Sequence, residues 1–258
     1  MKKPAWVIEK EKARRAAAQA TVWLFGIHAV RDALQNPSRE CLRLIVTKNA
    51  ADKLKDDIAG SGIEPEISDP RRFAAPLDPG SVHQGAALEV KPLNWGAISD
   101  VLVDAGPTGV VVCLDRVSDP HNVGAILRSA EVFGAAAVLA PLRHSAPETG
   151  ALAKTASGAL ERQPYFRVRN LAEALVELKS MGFLTIGLDG EADAELRTVL
   201  QGEHDRPIAL VLGAEGPGLR DKTKETCDII AKIPFATDFG SLNVSNAAAV
   251  ALYAVRNS

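Results

Sequence analysis

The sequence predicts an α/β protein whose larger part contains a parallel β-sheet with helices on both faces. From residue 109 onward, short and almost continuously apolar segments alternate with amphipathic segments. Strands that are buried on both faces read as apolar runs, and the helices that connect parallel strands cover those faces. The chain has 258 residues, of which 47% are hydrophobic and 24% charged. These values are typical of globular proteins and allow one or two domains.

Residues 21–92 are predicted to form a smaller α/β unit before this regular part. Alternating branched residues indicate its strands, and polar caps or a closing glycine mark the ends of its helices. Asn49 is expected to cap one helix and Gly60 to close it. The expected helices are 26–34, 49–60 and 71–77, and the expected strands are 41–48, 64–69 and 83–90.

Residues 93–107 are predicted to be a linker with one helix at 98–105, because proline, glycine and asparagine are frequent there. The larger domain then covers residues 108–258. Its expected strands are 109–117, 136–141, 165–168, 183–189, 208–215 and 228–235, and its expected helices are 122–134, 146–161, 171–182, 219–227 and 242–257.

Cysteine and apolar patterns exclude several classes of protein. Cys41, Cys113 and Cys227 are far apart, and no CxxC pair occurs. Neither a disulfide framework nor a cysteine-based zinc site is therefore predicted, and a reduced, cytosolic setting is favoured. No apolar run reaches the length of about 18 residues that a membrane-spanning helix needs.

Charge is concentrated at the N-terminus. The net charge of the chain is −2, but residues 1–20 contain six basic and two acidic groups. This basic extension is either a solvated helical segment or a flexible arm that touches phosphates. A globally basic composition is absent, so contacts with RNA would depend on local clusters of positive charge.

The turn after the first long apolar strand is one candidate site, because ligands of open parallel sheets bind beyond the carboxyl ends of the strands. The polar residues of this turn occupy positions 118–122, and the next helix is expected to begin directly afterwards. Asn122 is expected to cap that helix, and Arg128 is expected to face the strand ends as well. The alternative is an ordinary cap and a surface arginine.

The strand at 208–215 continues into a second candidate site, a loop with three glycines, Gly213, Gly216 and Gly218. Glycines let the backbone approach a ligand closely, and Glu215 adds a carboxylate at the mouth of the sheet. Neither GxGxxG nor GxxxxGK[ST] occurs here, so the usual dinucleotide and nucleoside-triphosphate fingerprints are absent. The alternative is an ordinary glycine-rich turn into a helix.

A third candidate site precedes the C-terminal helix. The preceding strand is expected to end at Pro234, and an irregular loop then leads to a polar helix start at 242–246. The small apolar residues that follow permit close packing under another loop or against a partner subunit. The alternative is a tightly packed C-terminal helix that is capped by Ser241 or Asn243.

Together, the three segments resemble the motifs of the SpoU (TrmH) family of RNA ribose 2′-O-methyltransferases, within the SPOUT class. The segments read DPHNVGAILRSAEVFG, LVLGAEGPGLR and IPFATDFGSLNVSNAAAVALYAVR, and the resemblance runs from about Leu114 to the C-terminus. The segments GIHAV and HQG in the N-terminal part are similar to segments of the small RNA-binding domain in the branch of the family that methylates a guanosine ribose of 23S rRNA.

The resemblance implies a deep trefoil knot, in which the C-terminal helix is threaded through a loop, and an L30e-like N-terminal domain. It also implies S-adenosylmethionine as cosubstrate, no metal, and a homodimer packed through the knotted domain. The positions that match the family's catalytic groups are Asn122, Arg128, Glu215, Ser241 and Asn243. Those that match its cofactor-binding positions are Gly213, Gly216, Gly218, Ile233 and Leu242.

Within this resemblance, the basic side chains have separate expected roles. An arginine keeps its proton at neutral pH, so Arg128 is expected to act through a phosphate or to stabilise a developing alkoxide. His121 is expected to lie near RNA phosphate rather than to be catalytic. The basic residues expected near the mouth of the site are Arg116, Arg128, Arg143, Lys154, Arg162 and Arg220, and those in the N-terminal domain are Arg31, Arg43, Lys48 and Arg71, each of which alone is better explained as solvated surface.

The leading interpretation is a cytoplasmic enzyme that methylates the 2′-hydroxyl of a guanosine in 23S rRNA, the hydroxyl being the group that distinguishes RNA from DNA. The same chemistry on tRNA or on another rRNA nucleotide is one alternative. A non-catalytic RNA-binding assembly factor is another, although the presence of all five motif residues favours an enzyme. A nicotinamide-dependent dehydrogenase is disfavoured because its glycine fingerprint is missing.

Overall fold

A computed structural model describes residues 21–106, 108–201, 206–236 and 241–258. The basic extension expected at 1–20 lies outside the described residues. The chain divides into two compact units: the first extends to Asn94 and includes Glu148–Gly150, and the second contains Trp95–Pro147 and Ala151–Ser258. No helix among the described residues is long and apolar enough to span a membrane.

The N-terminal unit contains a four-stranded mixed sheet and three short α-helices. Its strands β1 to β4 lie in the order β1-β4-β2-β3, and β2 and β3 are parallel while the other two pairings are antiparallel. The bounds are β1 Val22–Phe25, α1 Ile27–Gln35, β2 Cys41–Val46, α2 Lys48–Lys53, α3 Lys55–Ser61, β3 Pro65–Ile67 and β4 Ala86–Val90.

Three details of this unit differ from the sequence prediction. The helix expected at 49–60 is divided into α2 and α3, and Thr47 rather than Asn49 caps it, because the Thr47 hydroxyl accepts a hydrogen bond from the Ala50 N–H. The helix expected at 71–77 is a single 3-10 turn, Pro70–Arg72. Strand β1 was not predicted, since its four residues are too few to show alternation.

The C-terminal unit is built on a seven-stranded sheet in which every pairing is parallel, as predicted. The strand order is β7-β6-β5-β10-β8-β11-β9. The strands are β5 Val110–Asp115, β6 Ala137–Pro141, β7 Tyr165–Val168, β8 Leu184–Leu188, β9 Ala194–Glu195, β10 Ile208–Gly213 and β11 Ile229–Lys232. The helices are α4 Ile98–Leu102, α5 Pro120–Val132, α6 Gly150–Ala156, α7 Leu171–Ser180, α8 Leu196–Leu200, α9 Asp221–Thr226 and α10 Val244–Arg256.

Helices cover both faces of this sheet. On one face, apolar residues of β5 and β10 pack with the buried leucines of α7, such as Leu171 and Leu175. On the other, α5 and α10 pack against each other and α10 also contacts β5 and β10. Burial on both faces explains why β5 and β6 are buried along their whole length.

The helices of the C-terminal unit correct two predictions. Helix α5 begins at Pro120, and the Asp119 carboxylate caps it by accepting a hydrogen bond from the His121 N–H at 2.9 Å. The predicted capping role of Asn122 is therefore wrong, because Asn122 lies inside the first turn. The helix expected at 146–161 is also too long: it ends at Ala156, and the left-handed backbone of Ser157 (φ 51°) separates it from a 3-10 turn.

Register brings the ends of four neighbouring strands to one edge of the sheet. Asp115 at the end of β5 is level with Gly213 at the end of β10, and Leu212 of β10 is level with Leu188 at the end of β8. Leu188 is in turn paired with Ala231 of β11. The loops that follow these strands include all three segments that the sequence singles out.

Candidate active site

Two amides and a carboxylate from three separate segments form a hydrogen-bonded cluster beyond the carboxyl ends of the strands. The Asn243 amide donates to Glu215 Oε1 at 2.5 Å and to Asn122 Oδ1 at 2.9 Å. The Asn122 amide donates to the same Glu215 Oε1 at 3.1 Å. This arrangement fixes the orientation of all three side chains and is called the amide–carboxylate cluster below.

Local structure explains why each member is available. Because Asp119 caps α5, the Asn122 side chain is free to bond outside its own helix. Asn243 is itself the cap of α10: its Oδ1 accepts from the Ser245 N–H at 2.9 Å, which leaves its amide group to donate. Glu215 follows β10 in the glycine-rich loop, so its carboxylate projects from the same edge of the sheet.

The glycine-rich loop has a shape that only glycine permits at its start. A Cβ on Gly213 would lie 2.1 Å from the backbone carbon of Gly218. The loop closes on itself through a hydrogen bond from the Gly218 N–H to the Ala214 carbonyl, at 3.0 Å, and Gly218 adopts a left-handed φ of 67°. Strand β10 therefore runs directly beneath the returning loop.

A buried ion pair anchors the far end of this loop. Asp115, which is fully buried, accepts hydrogen bonds from the Arg220 backbone N–H at 3.0 Å and from its Nε at 2.8 Å. Arg220 Nη2 also lies 2.7 Å from Asp115 Oδ1. Since a buried carboxylate needs compensating partners, this contact fastens the loop to the end of the neighbouring strand β5.

A cavity of about 650 Å³ lies between this loop and the loops that follow β8 and β11. Its wall combines apolar side chains, including Leu188, Ile233 and Leu242, with the backbone of the glycine-rich loop. Ligand pockets have volumes of roughly 300–1,000 Å³ and are mainly apolar with a few polar groups. The cavity therefore suits a cofactor or a small substrate, and Glu215 and Asn243 of the amide–carboxylate cluster also line it.

The charged groups around the cavity are mainly acidic. Among the described residues that line it, Asp189, Glu191 and Glu215 are acidic and Lys224 is basic. The hydrogen bond from Lys224 holds the pKa of Asp189 below its ordinary value, against the opposing effect of partial burial, and the Glu191 N–H lowers it further. Asp189 is therefore ionised at neutral pH, and the excess of negative charge favours a ligand that carries positive charge.

Comparison with known proteins identifies the family. A model of the SpoU rRNA Methylase family matches residues 109–253, and a model of the RNA 2′-O ribose methyltransferase substrate-binding domain matches residues 23–96. The chain is 40% identical over 238 residues to the 23S rRNA (guanosine-2′-O-)-methyltransferase RlmB of Ralstonia nicotianae, an alignment that covers 89% of this chain and 93% of that protein. RlmB of Vibrio parahaemolyticus is 37% identical, and that alignment covers 90% of this chain and 94% of the relative. The chain belongs to the SpoU rRNA methylase family.

Solved structures of SpoU proteins have the same fold. The SpoU methyltransferase AviRb from Streptomyces viridochromogenes, in complex with the cofactor AdoMet, matches with a TM-score of 0.78 at 21% identity, over 96% of this chain and 92% of that one. A putative RNA methyltransferase of the TrmH family from Porphyromonas gingivalis matches with a TM-score of 0.71 at 22% identity. This match covers 100% of this chain and 99% of that one. These likenesses confirm the predicted α/β class with a mainly parallel sheet.

The residues that match the SpoU catalytic positions are only partly together in this chain. Asn122, Glu215 and Asn243 form the amide–carboxylate cluster, and Ser241 lines the same cavity. Arg128 is exposed, and within the described residues it bonds to none of the others. A separation of six residues turns Arg128 about 120° around α5 from Asn122, so the two side chains leave the helix in different directions. That both face the strand ends stays a prediction.

The residues that match the SpoU cofactor-binding positions all line the cavity. The backbones of Gly213, Gly216 and Gly218 form its glycine-rich wall, and Ile233 and Leu242 contribute apolar side chains. Asp189 and Lys224 carry no signal in the sequence, because an aspartate after a strand and a lysine on a short helix are common surface residues. Asp115 was missed as well, since it ends an otherwise apolar run.

Several basic residues expected to contact RNA are paired with acidic groups. Arg162 forms an ion pair with Glu131, and Arg220 with Asp115. In the N-terminal unit, Arg43 lies 2.6 Å from Glu66. Of the basic residues expected at the mouth of the site, Arg116, Arg128 and Arg143 are exposed and form no ion pair among the described residues.

Proposed function

We propose that this SpoU protein transfers a methyl group from S-adenosylmethionine to the 2′-hydroxyl of a guanosine ribose in 23S rRNA, in the cytoplasm. The observation that carries the proposal is the amide–carboxylate cluster of Asn122, Glu215 and Asn243 at the wall of the cavity. The RlmB relatives, which are named for this reaction, align with about nine-tenths of the chain.

The cavity fits S-adenosylmethionine on three observations. Gly213, Gly216 and Gly218 line the cavity without side chains, so a ligand can approach the backbone of the loop closely. Ile233 and Leu242 offer apolar surface for an adenine ring. The acidic lining suits the net positive charge of this molecule. When bound, S-adenosylmethionine supplies a methyl group on a sulfonium centre.

The amide–carboxylate cluster supports a positioning role for this chain's own residues. Glu215 Oε1 accepts both amide hydrogen bonds, so Oε2 is directed elsewhere and can accept a hydrogen bond from a ribose hydroxyl. The two asparagines hold that carboxylate in one orientation. When the hydroxyl is held in position for attack, the activation barrier of methyl transfer loses an entropic contribution of up to roughly 7–11 kcal/mol.

We also propose that the protein is a homodimer through the α5–α10 face of the C-terminal unit. Val132 on α5 and Val250 and Tyr253 on α10 are 71%, 43% and 59% exposed, and Phe133 packs edge-on against Tyr253 at 6.2 Å. An exposed apolar face of this kind is typical of subunit contacts. Arg128 lies one helical turn before Val132, so this dimer would bring the Arg128 guanidinium to the subunit boundary, where it can act on RNA bound to the second copy.

Light scattering tests the dimer. The parent protein should have twice the mass of the chain, and Tyr253→Glu should lower the mass toward that of a monomer. A stable monomer for the parent protein would contradict the proposal.

The finer fold is proposed on the same basis. A trefoil knot, with α10 passing through a loop of the C-terminal unit, is supported by the position of α10 against β5, β10 and α5, after a chain path that has crossed to β11. An L30e-like N-terminal domain is supported by its mixed four-stranded sheet and by the match of residues 23–96 to the substrate-binding model.

Transfer of label from methyl-labelled S-adenosylmethionine to undermethylated total RNA tests the reaction. The RNA is separated by size, and we expect label in the 23S fraction on a single guanosine. Arg128→Ala should bind the cofactor as well as the parent protein does and transfer less label. Label confined to tRNA would show that tRNA, and not 23S rRNA, is the substrate. Cofactor binding without any transfer to RNA or to ribosomal particles would favour a non-catalytic assembly factor.

A further inference from the structure

The cavity of about 650 Å³ described above is called the cofactor cavity here. A second cavity lies on the other side of the glycine-rich loop. It has a volume of about 300 Å³, and Ala214, Pro217 and Gly218 line both cavities. The remaining wall consists of the polar side chains Arg116, Ser118, His144 and Arg220. No carboxylate-bearing residue of the described chain is among the lining residues. The second cavity is therefore rich in hydrogen-bond donors and separated from the first by one loop.

Two residues of this cavity adopt a backbone conformation that their side chains disfavour. Arg116 has a φ of 62° and His144 a φ of 60°, and the other non-glycine residues of the described chain with positive φ are Gln84 and Ser157. Glycine would adopt this conformation without strain. Strained non-glycine residues persist where the surrounding structure imposes them, and they cluster at binding and catalytic sites. The positions of Arg116 and His144 therefore mark this cavity as a candidate binding site.

The donors of the cavity are available to an anion. Arg116 is exposed and forms no ion pair with any residue that the structure describes. Arg220 uses Nε and Nη2 to hold Asp115, so its Nη1 group keeps both of its N–H donors. With Arg220 neutralised by Asp115, the uncompensated positive charge comes from Arg116.

We propose that this cavity, between Arg116, Ser118, His144 and Arg220, binds a phosphodiester group of the RNA substrate. The proposal rests on the proposed function, which requires an RNA ribose beside the cofactor cavity. Guanidinium groups bind phosphate oxygens through several directed hydrogen bonds. Because the glycine-rich loop forms a wall of both cavities, a phosphate held here anchors the strand next to the ribose that is methylated. Phosphate contacts position RNA without reading its sequence.

Arg116→Gln and Arg197→Gln test the site as a matched pair. Arg197 lies on α8, is exposed, and lines neither cavity. Binding of a 23S rRNA fragment is measured by fluorescence anisotropy at several salt concentrations. Each lost phosphate contact lowers the slope of log K against log salt by about one. We expect this loss for Arg116→Gln, and an unchanged slope for Arg197→Gln.

Steady-state kinetics distinguish an RNA-binding role from a structural one. Arg116→Gln should raise the KM for RNA several-fold while the affinity for S-adenosylmethionine stays at the parent value, and Arg116→Lys should recover part of the loss. Arg116→Gly should bind RNA as weakly as Arg116→Gln, yet unfold at the same or a higher temperature, because glycine relieves the left-handed backbone. A lower melting temperature together with weaker cofactor binding would show that Arg116 is structural and would overturn the proposal.

Two further results would also overturn it. One is an equal salt slope for the parent protein, Arg116→Gln and Arg197→Gln. The other is Arg116-dependent binding of inorganic phosphate with no change in RNA binding, which would identify a free-anion site. Failure of the proposed function is recognised separately, since in that case the parent protein transfers no methyl group to RNA whatever the salt slopes show.

Discussion

Asn243→Asp separates the two roles of Asn243, which caps α10 through Oδ1 and holds Glu215 through its amide. Asparagine and aspartate cap helices about equally well, so the bonds to Ser245 at 2.9 and 2.5 Å are retained. The donor at 2.5 Å from Glu215 Oε1 becomes a carboxylate oxygen. Two like charges about 3 Å apart repel by about 1.4 kcal/mol in water and about 5.5 kcal/mol at an effective dielectric constant of about 20. Glu215 is exposed, so the lower figure applies.

A penalty of about 1.4 kcal/mol in the reacting complex corresponds to a tenfold lower rate. In the free protein the exposed carboxylate of Glu215 can turn away from the new charge, so the midpoint of urea denaturation should change little. The reacting complex requires Glu215 in its original position, so we expect kcat/KM for methyl transfer to fall by about tenfold in Asn243→Asp. Asn243→Ala should lose a similar amount of activity and also about 1 kcal/mol of stability, because the cap is removed. Parent-like kcat/KM for Asn243→Asp would refute the positioning role of the amide–carboxylate cluster.

The remaining predictions concern the glycine-rich loop and its surroundings. Gly213→Ala should weaken S-adenosylmethionine binding in calorimetry at least tenfold, because the new Cβ would lie 2.1 Å from the Gly218 backbone; unchanged affinity would contradict the close approach. Asp115→Asn should lower the free energy of unfolding by about 1–3 kcal/mol, measured by urea denaturation, since the charge-assisted bonds to Arg220 are weakened; an unchanged midpoint would show that the pair does not anchor the loop. Burial, aided by the charge of Asp228, raises the pKa of the Cys227 thiol to about 12, so at pH 8 only about one thiol in 10⁴ is ionised and the native protein should react slowly with a thiol reagent at this residue. Rapid native-state labelling at this cysteine would contradict the burial.

The sequence predicts six of the seven strands of the parallel sheet because each of the six is a short, mainly apolar run, and β5 and β6 are buried along their whole length. It does not predict β9, whose two residues, Ala194 and Glu195, form no apolar run. It predicts the edges of helices less well. Asp119 and Asn122 are both good capping residues, and the choice between them depends on Pro120, which favours the first helical position. Giving Pro120 that weight would have identified Asp119 as the cap. The break after Ala156 falls at Ser157-Gly158, both with positive φ. This dipeptide is typical of turns, and the prediction of one helix over 146–161 gave it too little weight.

The amide–carboxylate cluster shows the limit of reasoning from sequence. Asn122 and Asn243 are 121 positions apart and bond directly, and no local pattern predicts a contact at that separation. Resemblance to the SpoU motifs identified the residue types, and the order of the parallel strands explains why they meet. Arg128 illustrates the reverse case: its motif position is clear, but among the described residues it forms no bond to the cluster. In the proposed homodimer, its role would depend on the second copy.

The most direct test of the account is the chemical position of the transferred methyl group. Alkaline hydrolysis of RNA proceeds through the 2′-hydroxyl, so methylation of that oxygen protects the adjacent phosphodiester bond. After reaction of undermethylated 23S rRNA with labelled S-adenosylmethionine, we predict that the label survives alkali as one protected dinucleotide whose first nucleoside is guanosine. Label recovered in single nucleotides, as base methylation would give, would contradict the account.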